Sequence, residues 1–471
     1  MHLEIKESVS NMKLKVLNIV ICLFLAACSI TSCLHSDEIE YEFSSNASIT
    51  AFSITDSIVT YYPAVVNGKD TTLSTAIVGT DYPFVINQHE GLIYNPDSLP
   101  VGTDVSKVVV GITADTQGIY IVAETDSMWN EKDSLDFNNP IQFKVMSQIG
   151  SFGRIYTAKI NVHKQDPELL AWQKMEGNFS TKIEKQKAVY LNNHIYVFGQ
   201  QDGQTVVTQT ETSNGKEWSE PVRVDTPVEA DIASAMAWGS QLYILADNQM
   251  YTSQDGSTWN KVETNTPIQQ LVANVYADKV QKIIGIDTDN HYIESQDGNI
   301  WEQYGEMPAE FPTSNLSFAS YALDTNKDIN RIVILGDNEE DTDSITSSWI
   351  QLDSETAWTD LIAPEKSDAC PRLENMTMIH YNNKLYLFGG SGQRDGAIKP
   401  FSNLYASMDN GITWETASAK IAFPEEFPTN YEESDGNYSC TVDDNHHIWI
   451  MWSKTGEVWR GRINKLGFDK Q

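Results

Sequence analysis

Seven tryptophans, Trp172, Trp218, Trp259, Trp301, Trp358, Trp414 and Trp459, recur along the C-terminal part of this 471-residue chain at intervals of 41 to 57 residues. A period of that length, with no stretch sustaining helical periodicity, is the spacing of a four-stranded propeller blade. The units share one order. A first strand leads through a tight turn into a strongly apolar second strand, as in KAVYLNNHIYVFGQ, SAMAWGSQLYILAD and MTMIHYNNKLYLFGG. A third strand then reaches a short polar turn, and a fourth strand is predicted to begin at the tryptophan. Proline soon follows, as in VRVDTP and VETNTP, and ends strand pairing.

The last unit, from Tyr438 to Gly467, holds three strands and ends without the turn motif, whereas LLAWQKM before the first unit is a tryptophan-led strand without predecessors. Pairing the two completes a sixth blade from both ends of the domain and removes two exposed sheet edges. The expectation is an all-β chain: a six-bladed propeller over residues 166–471, closed by the strand around Trp172, with Trp459 in a third strand.

Residues 44–165 lack the tryptophan series. They alternate apolar and polar residues in SITAFSI, STAIVGT, KVVVGIT, GIYIVAE, IQFKVMS and RIYTAKINVHK, which predicts a small β-sandwich. RIYTAKINV resembles the closing strand of immunoglobulin-like modules in bacterial surface proteins, so an Ig-like sandwich is expected. Gln165-Asp166-Pro167-Glu168 interrupts the pattern and marks the boundary.

Upstream, Met12 opens MKLKVLNIVICLFLAACSITSC, in which Lys13 and Lys15 precede the apolar run Ile19 to Ala27 and a small-residue stretch ending in cysteine. That is the layout of a secretory signal. The segment resembles a bacterial lipoprotein signal over residues 1–33, with Cys33 as the lipidated residue and Cys28 as the alternative. The following LHSDEIEYE reads as an acidic tether over residues 34–43, similar to that of Bacteroidetes surface lipoproteins. The resemblance implies export and a lipid anchor at the outer membrane or cell surface. Only Cys370 and Cys440 fall in the folded body, and a sequence separation does not show that two thiols meet.

Ser407-Met408-Asp409-Asn410-Gly411-Ile412-Thr413-Trp414 resembles the Asp-box of sialidase-like propellers, S-x-D-x-G-x-x-W. Ser253, Asp255, Gly256 and Trp259, and Ser295, Asp297, Gly298 and Trp301, are versions one residue shorter. Thr212, Asn214, Gly215 and Trp218 make a weaker copy, and LDSETAW has lost the glycine. LNNHIYVFG and YNNKLYLFGG resemble Kelch repeats. A motif used around a ring is architecture: glycine supplies a left-handed residue, aspartate bonds its own turn, and tryptophan fills the seam between blades.

Sialidase chemistry would need three arginines gripping a carboxylate, with one in an early F/Y-R-I-P stretch. The propeller holds Arg223, Arg331, Arg372, Arg394, Arg460 and Arg462 and no such stretch, and Arg331 reads as solvent-facing. Net charge of −33 argues against nucleic acid. Asp231, Glu374 and Glu433 precede first strands near the channel and are the carboxylates to consider for a hydrolase. Asp324-Thr-Asn326-Lys-Asp328-Ile-Asn330 alternates oxygen ligands but lacks the glycine and glutamate of a calcium loop, and the acidic run Asp337 to Ser344 and the adjacent His446 and His447 are no better placed, so no metal or cofactor is expected. Trp238, Trp449, Trp452, Tyr321, Tyr381 and Tyr431 lie on or near inner strands, where rings pack or stack on sugars. The loops before first strands, including 308–316 and 424–437, vary most and are the expected display surface.

These residues imply a non-catalytic binding module whose propeller face engages a glycan or a surface protein, with a carbohydrate-active hydrolase as the alternative. The whole resembles Bacteroidetes surface lipoproteins of unknown function.

Overall fold

The computed structural model describes residues 44–66, 69–337 and 345–468. The signal and tether readings, Cys28 and Cys33 included, lie outside the described residues, as does most of the Asp337 to Ser344 run. The chain divides into two compact units, one ending at His163 and the other beginning at Lys164.

In the N-terminal unit Ile49–Ile54, Val108–Ala114 and Ser134–Leu135 form a three-stranded sheet. A six-stranded sheet runs Val85–Asn87, Leu92–Tyr94, Phe152–Lys159, Ile141–Met146, Gly118–Ile121, Ser127–Met128. Leu92–Tyr94 lies parallel to Phe152–Lys159 and the other neighbours are antiparallel. Alternation puts Phe52, Ile54, Ile93, Val108, Val110, Phe143, Val145 and Tyr156 into one core shared by both sheets. A hairpin of Ser57–Val66 with Lys69–Val78 forms a separate ribbon. Sequence alternation identified the second of its strands but missed the first, whose side chains from Val59 to Tyr62 are exposed except for Thr60.

Among the described residues, the second unit contains six four-stranded antiparallel sheets. Their first strands are Glu184–Leu191, Asp231–Trp238, Ile268–Tyr276, Ser314–Ala322, Thr377–Tyr381 and Tyr438–Val442. Each first strand lies against the next in order, and the last lies against the first. The last meander takes its fourth strand from the other end of the unit: Leu170–Met175 pairs along its whole length with Val458–Ile463, Trp172 facing Gly461.

The second strands are fully apolar at their centres, as in Ile195–Phe198, Leu242–Ala246 and Ile332–Leu335, because both of their faces meet neighbouring sheets. Six hydrophobic clusters fill the seams, and each contains at least one tryptophan.

Three features differ from expectation. Fourth strands are short and begin after the tryptophan, at Val222, Asn260, Thr359 and Glu415, except for Trp301–Glu306 and Leu170–Met175; in the short ones the ring turns into the seam at the corner, so pairing starts beyond it. The 424–437 loop holds a helix, Phe427–Glu433, with Pro428 in its first turn and Phe427, Asn430 and Tyr431 buried at i, i+3 and i+4. At seven residues it is too short to leave a periodic signal. A small three-stranded sheet, Arg372–Leu373, Gly392–Gln393 and Ala397–Ile398, decorates the fifth meander.

Candidate functional site

In a meander, the turns between strands one and two and between three and four share one end. The links between two and three and from sheet to sheet share the other. The Ser-x-Asp turns belong to the first end. Ser253 Oγ accepts the Gly256 N–H (2.9 Å), and Asp255 Oδ1 accepts those of Ser257 (2.8 Å) and Thr258 (3.1 Å). Ser295 and Asp297 repeat this with Gly298, Asn299 and Ile300. Ser407 Oγ holds Gly411, and Asp409 holds both the N–H and hydroxyl of Thr413.

In all three turns the indole donates to the glycine carbonyl: Trp259 to Gly256 (3.0 Å), Trp301 to Gly298 (3.1 Å) and Trp414 to Gly411 (3.1 Å). Trp218 and Trp358, in the degenerate copies, leave their indole N–H without a partner. The glycines have φ of 74°, 79° and 100°, and a Cβ on Gly256 would press on the Tyr196 ring of the preceding sheet at 3.2 Å.

The other end carries the entries of the first strands. Strand Asp231–Trp238 enters it through a bulge, its pairing slipping between Asp231 and Met236. Ser234 staples the bulge, donating to the Asp231 carbonyl (2.6 Å) and accepting from Leu245 N–H (2.8 Å). Asp231 Oδ1 accepts the Ala233 N–H (3.0 Å), and the Ala233 carbonyl accepts from Lys187 Nζ. Burial pushes the Lys187 ammonium down to about 8, and the Asp231 carboxylate opposes that fall.

Beside this pair opens a groove of about 390 Å³ lined by Glu229, Ala230, Asp231, Leu245, Asp247, Asn248 and Gln269. Gln200 Nε2 holds Glu229 (2.7 Å), and Thr205 holds the Ala230 carbonyl (2.9 Å). Asp247 and Asn248 have φ of 50° and 59°, a two-residue hairpin turn that projects both side chains into the groove wall. Neither Lys187 nor Asp247 was singled out in the sequence. The Asp-Asn pair between apolar strands was the available signal, whereas the depth of Lys187 depends on a neighbouring strand.

Of the three carboxylates named from sequence, Asp231 alone lines the groove. Glu374 is exposed, its backbone bonded to Ser391 and Gly390, and Glu433 is exposed at the end of the helix.

The six arginines serve separate places. Arg394 binds the Trp414 carbonyl (2.8 Å) and lies over Tyr405, Arg460 stacks on Trp449, Arg462 reaches the Asn445 carbonyl, Arg372 meets Asp337, and Arg223 is exposed. Arg331 corrects its reading as solvent-facing. It is half-buried with Nε enclosed, because it faces Tyr321 across a strand pair and influences that hydroxyl.

The Asp324 loop is closed by cations of the chain itself: Lys327 pairs with Asp324 (2.8 Å) and Lys279 with Asp328 (2.5 Å). His447 Nδ1 lies 3.3 Å from Asp443 Oδ2, whereas the His446 backbone carbonyl accepts from Tyr381. Asp287, Asp289 and His291, missed in the sequence, bring ligand atoms within 4.8 Å of one another. Asp287 Oδ1 accepts the N–H groups of Asp289 and His291 (2.9 Å each), and Oδ2 faces the His291 ring at 3.0 Å. Asp443, Asn445 and His447 repeat these bonds, so Asp-x-x-x-His is a turn device here.

The aromatic candidates pack inward: Trp449 and Trp452 are fully buried, Trp238 donates to Val275 (3.0 Å), and Tyr381 and Tyr431 belong to the closing seam. Tyr321 stacks flat on His380 at 3.9 Å. Cys370 and Cys440 are free thiols, both pushed up by burial.

Among solved structures, the chain is similar to an α-L-arabinofuranosidase of Fusarium graminearum at 10% identity and a TM-score of 0.36, covering 63% of this chain and 98% of that one. A Trichoderma reesei carbohydrate-active enzyme of family AA12 gives 10%, 0.35, 63% and 98%. A Xanthomonas campestris gluconolactonase gives 8%, 0.36, 63% and 91%. No curated protein sequence matches. The DUF6242 beta propeller domain matches residues 166–471 and the DUF6242 N-terminal domain, a domain of unknown function, matches 43–160, and the chain therefore belongs to the DUF6242 family.

Proposed function

We propose that this chain is an exported, lipid-anchored binding protein. In this reading residues 44–165 form an Ig-like spacer, and the propeller has six blades closed by the strand around Trp172. The groove at Glu229, Asp231, Asp247, Asn248 and Gln269 holds a neutral, hydroxyl-rich ligand of the glycan class.

The observation that carries the reading is the composition of that groove. Three carboxylates and two amides line it with no basic side chain. Sugar hydroxyls both donate and accept, and such a set fixes them, while three carboxylates repel an anionic ligand. Binding is favoured over hydrolysis because Glu229 and Asp231 already serve as acceptors for Gln200 and the Ala233 N–H.

The test is a glycan array probed with wild type, Asp247→Ala and Gln269→Ala, followed by assay of each hit for new reducing ends. Loss of one groove hydrogen bond weakens binding about tenfold. Unchanged binding in both variants overturns the groove assignment, and new reducing ends transfer the site to the hydrolase reading with Asp231 as its first candidate.

A further inference from the structure

The outward face of the six-stranded sheet in the N-terminal unit is apolar, aromatic and cationic in a chain that is otherwise acidic. Phe143 and Val145 point into the core, so Lys144 points out, and its strand partners Tyr120 and Ile155 share that face. Phe152 stands beside them, 5.6 Å edge-to-face from Tyr120, with the Lys144 ammonium 4.3 Å from its ring centre. At the far end of the same strand Lys159 lies over Tyr94 at 5.5 Å. Phe152 is 49% exposed, Ile155 48% and Met128 63%.

Charge decides what such a face accepts. The six strands carry Lys144, Arg154 and Lys159 and not one aspartate or glutamate, although the whole chain has 65 acidic residues against 32 basic ones. Asp126, at the rim, pairs with Lys144. Long-range repulsion by the rest of the molecule opposes any anion, so binding one takes a local surplus of cations, which this face supplies.

We infer that this face binds an acidic polysaccharide, a uronate- or sulfate-bearing chain, independently of the propeller groove. Rings present flat apolar surface to the C–H faces of sugars, and the adjacent ammonium groups meet the acid groups. From Phe152 to Lys159, beside Tyr94, the strand advances about 23 Å at ~3.3 Å per residue, so two ring-and-cation pairs sit several sugar units apart.

The experiment is affinity electrophoresis of the full chain in native gels containing polygalacturonate, chondroitin sulfate or neutral dextran, with Phe152→Ala, Lys159→Glu and the groove variant Asp247→Ala run alongside. Wild type and Asp247→Ala are expected to be retarded by an acidic polymer and not by dextran. Phe152→Ala and Lys159→Glu each weaken retardation about tenfold, the size of a lost ring or cation contact. Phe152 is exposed and Lys159 half-buried, and coincident melting curves establish that the variants fold. The inference is overturned by no retardation in either acidic polymer, by equal retardation in dextran, or by loss in Lys159→Glu with none in Phe152→Ala, which is ion exchange alone.

Discussion

Trp172 and Gly461 offer a test of how the two ends of the propeller unit are held together. They face each other in the ladder between Leu170–Met175 and Val458–Ile463, and the indole lies flat on the glycine: a Cβ built there would stand 2.6 Å from ring atoms. The ring also packs 5.1 Å from Phe427 and 6.0 Å from Phe423, and its N–H donates to the Ala422 carbonyl at 2.9 Å. Truncating a buried tryptophan costs roughly 3–5 kcal/mol, and Trp172 is half-buried, so Trp172→Ala should cost about 3 kcal/mol, hydrogen bond included. Gly461→Ala alone forces the ring aside at about 1–3 kcal/mol. In the Trp172→Ala background the same methyl enters vacated space, and the usual gain of alanine over glycine in a strand, ~0.5–1 kcal/mol, should surface. The two changes are therefore coupled by about 2 kcal/mol, with the double variant more stable than the sum. Urea midpoints of the four proteins measure this. Additivity within ~0.5 kcal/mol would refute the contact and the closing role assigned to this strand.

Three other outcomes are expected. The N–H groups of Thr258 and Ser257 hold the Asp255 carboxyl below its usual range; burial works to raise Asp409, but the hydroxyl and N–H of Thr413 outweigh it and hold that carboxyl below its usual range too. A lowered folded pKa stabilises above the unfolded value and is lost as pH falls through the folded one, so the melting difference between wild type and Asp409→Asn should shrink as pH drops from 5 towards 3. For Lys187, whose folded value falls to about 8, the unfolded chain keeps its proton longer, so wild type should gain on Lys187→Met above pH 8, by about 2 kcal/mol at pH 9.5, in paired denaturation curves. Finally, Cys33→Ala should release the chain from the membrane fraction and abolish metabolic labelling with palmitate, while Cys28→Ala leaves both intact; the reverse pattern moves the anchor to Cys28.

The repeat was legible because each unit repeats a solution to one packing problem. Tryptophan at Trp259, Trp301 and Trp414 fills a seam, and the glycine before it takes a positive φ that few other residues adopt. The apolar second strands were legible for the same reason, since burial on both faces leaves no room for alternation. The hairpin strand Ser57–Val66 was not, because its exposed residues carry no burial pattern. Nor was the buried pair Lys282 and Glu294, 2.6 Å apart in the seam with Tyr292 and Gln351, since each reads as an ordinary surface residue until the next sheet covers it. The groove lay between these cases. Asp231 could be placed from its position before a first strand, but the residues that complete the site come from a turn of the same sheet and from the next sheet.

That division has a physical cause that bears on function. The Ser-x-Asp turns fix one end of the propeller unit with bonds that close upon themselves: each serine, aspartate and glycine satisfies its neighbours, and each indole is spent on its own turn. Such turns spend their own polar groups on the fold. At the opposite end the strands enter through slips in register at Glu184, Asp231, Ile268 and Ser314, which re-aim successive side chains there. Links there range from the two-residue turn at Asp247 and Asn248 to the helical stretch at Phe427–Glu433. A rigid end tolerates variation at the other, because a change in a link costs only that link, whereas a change in a Ser-x-Asp turn opens a seam. Variants at Asp255 or Asp409 should therefore be felt as stability and variants at Asp247 or Gln269 as affinity. Substitution of Asp409 that weakened ligand binding with unchanged melting would place the site at the wrong end.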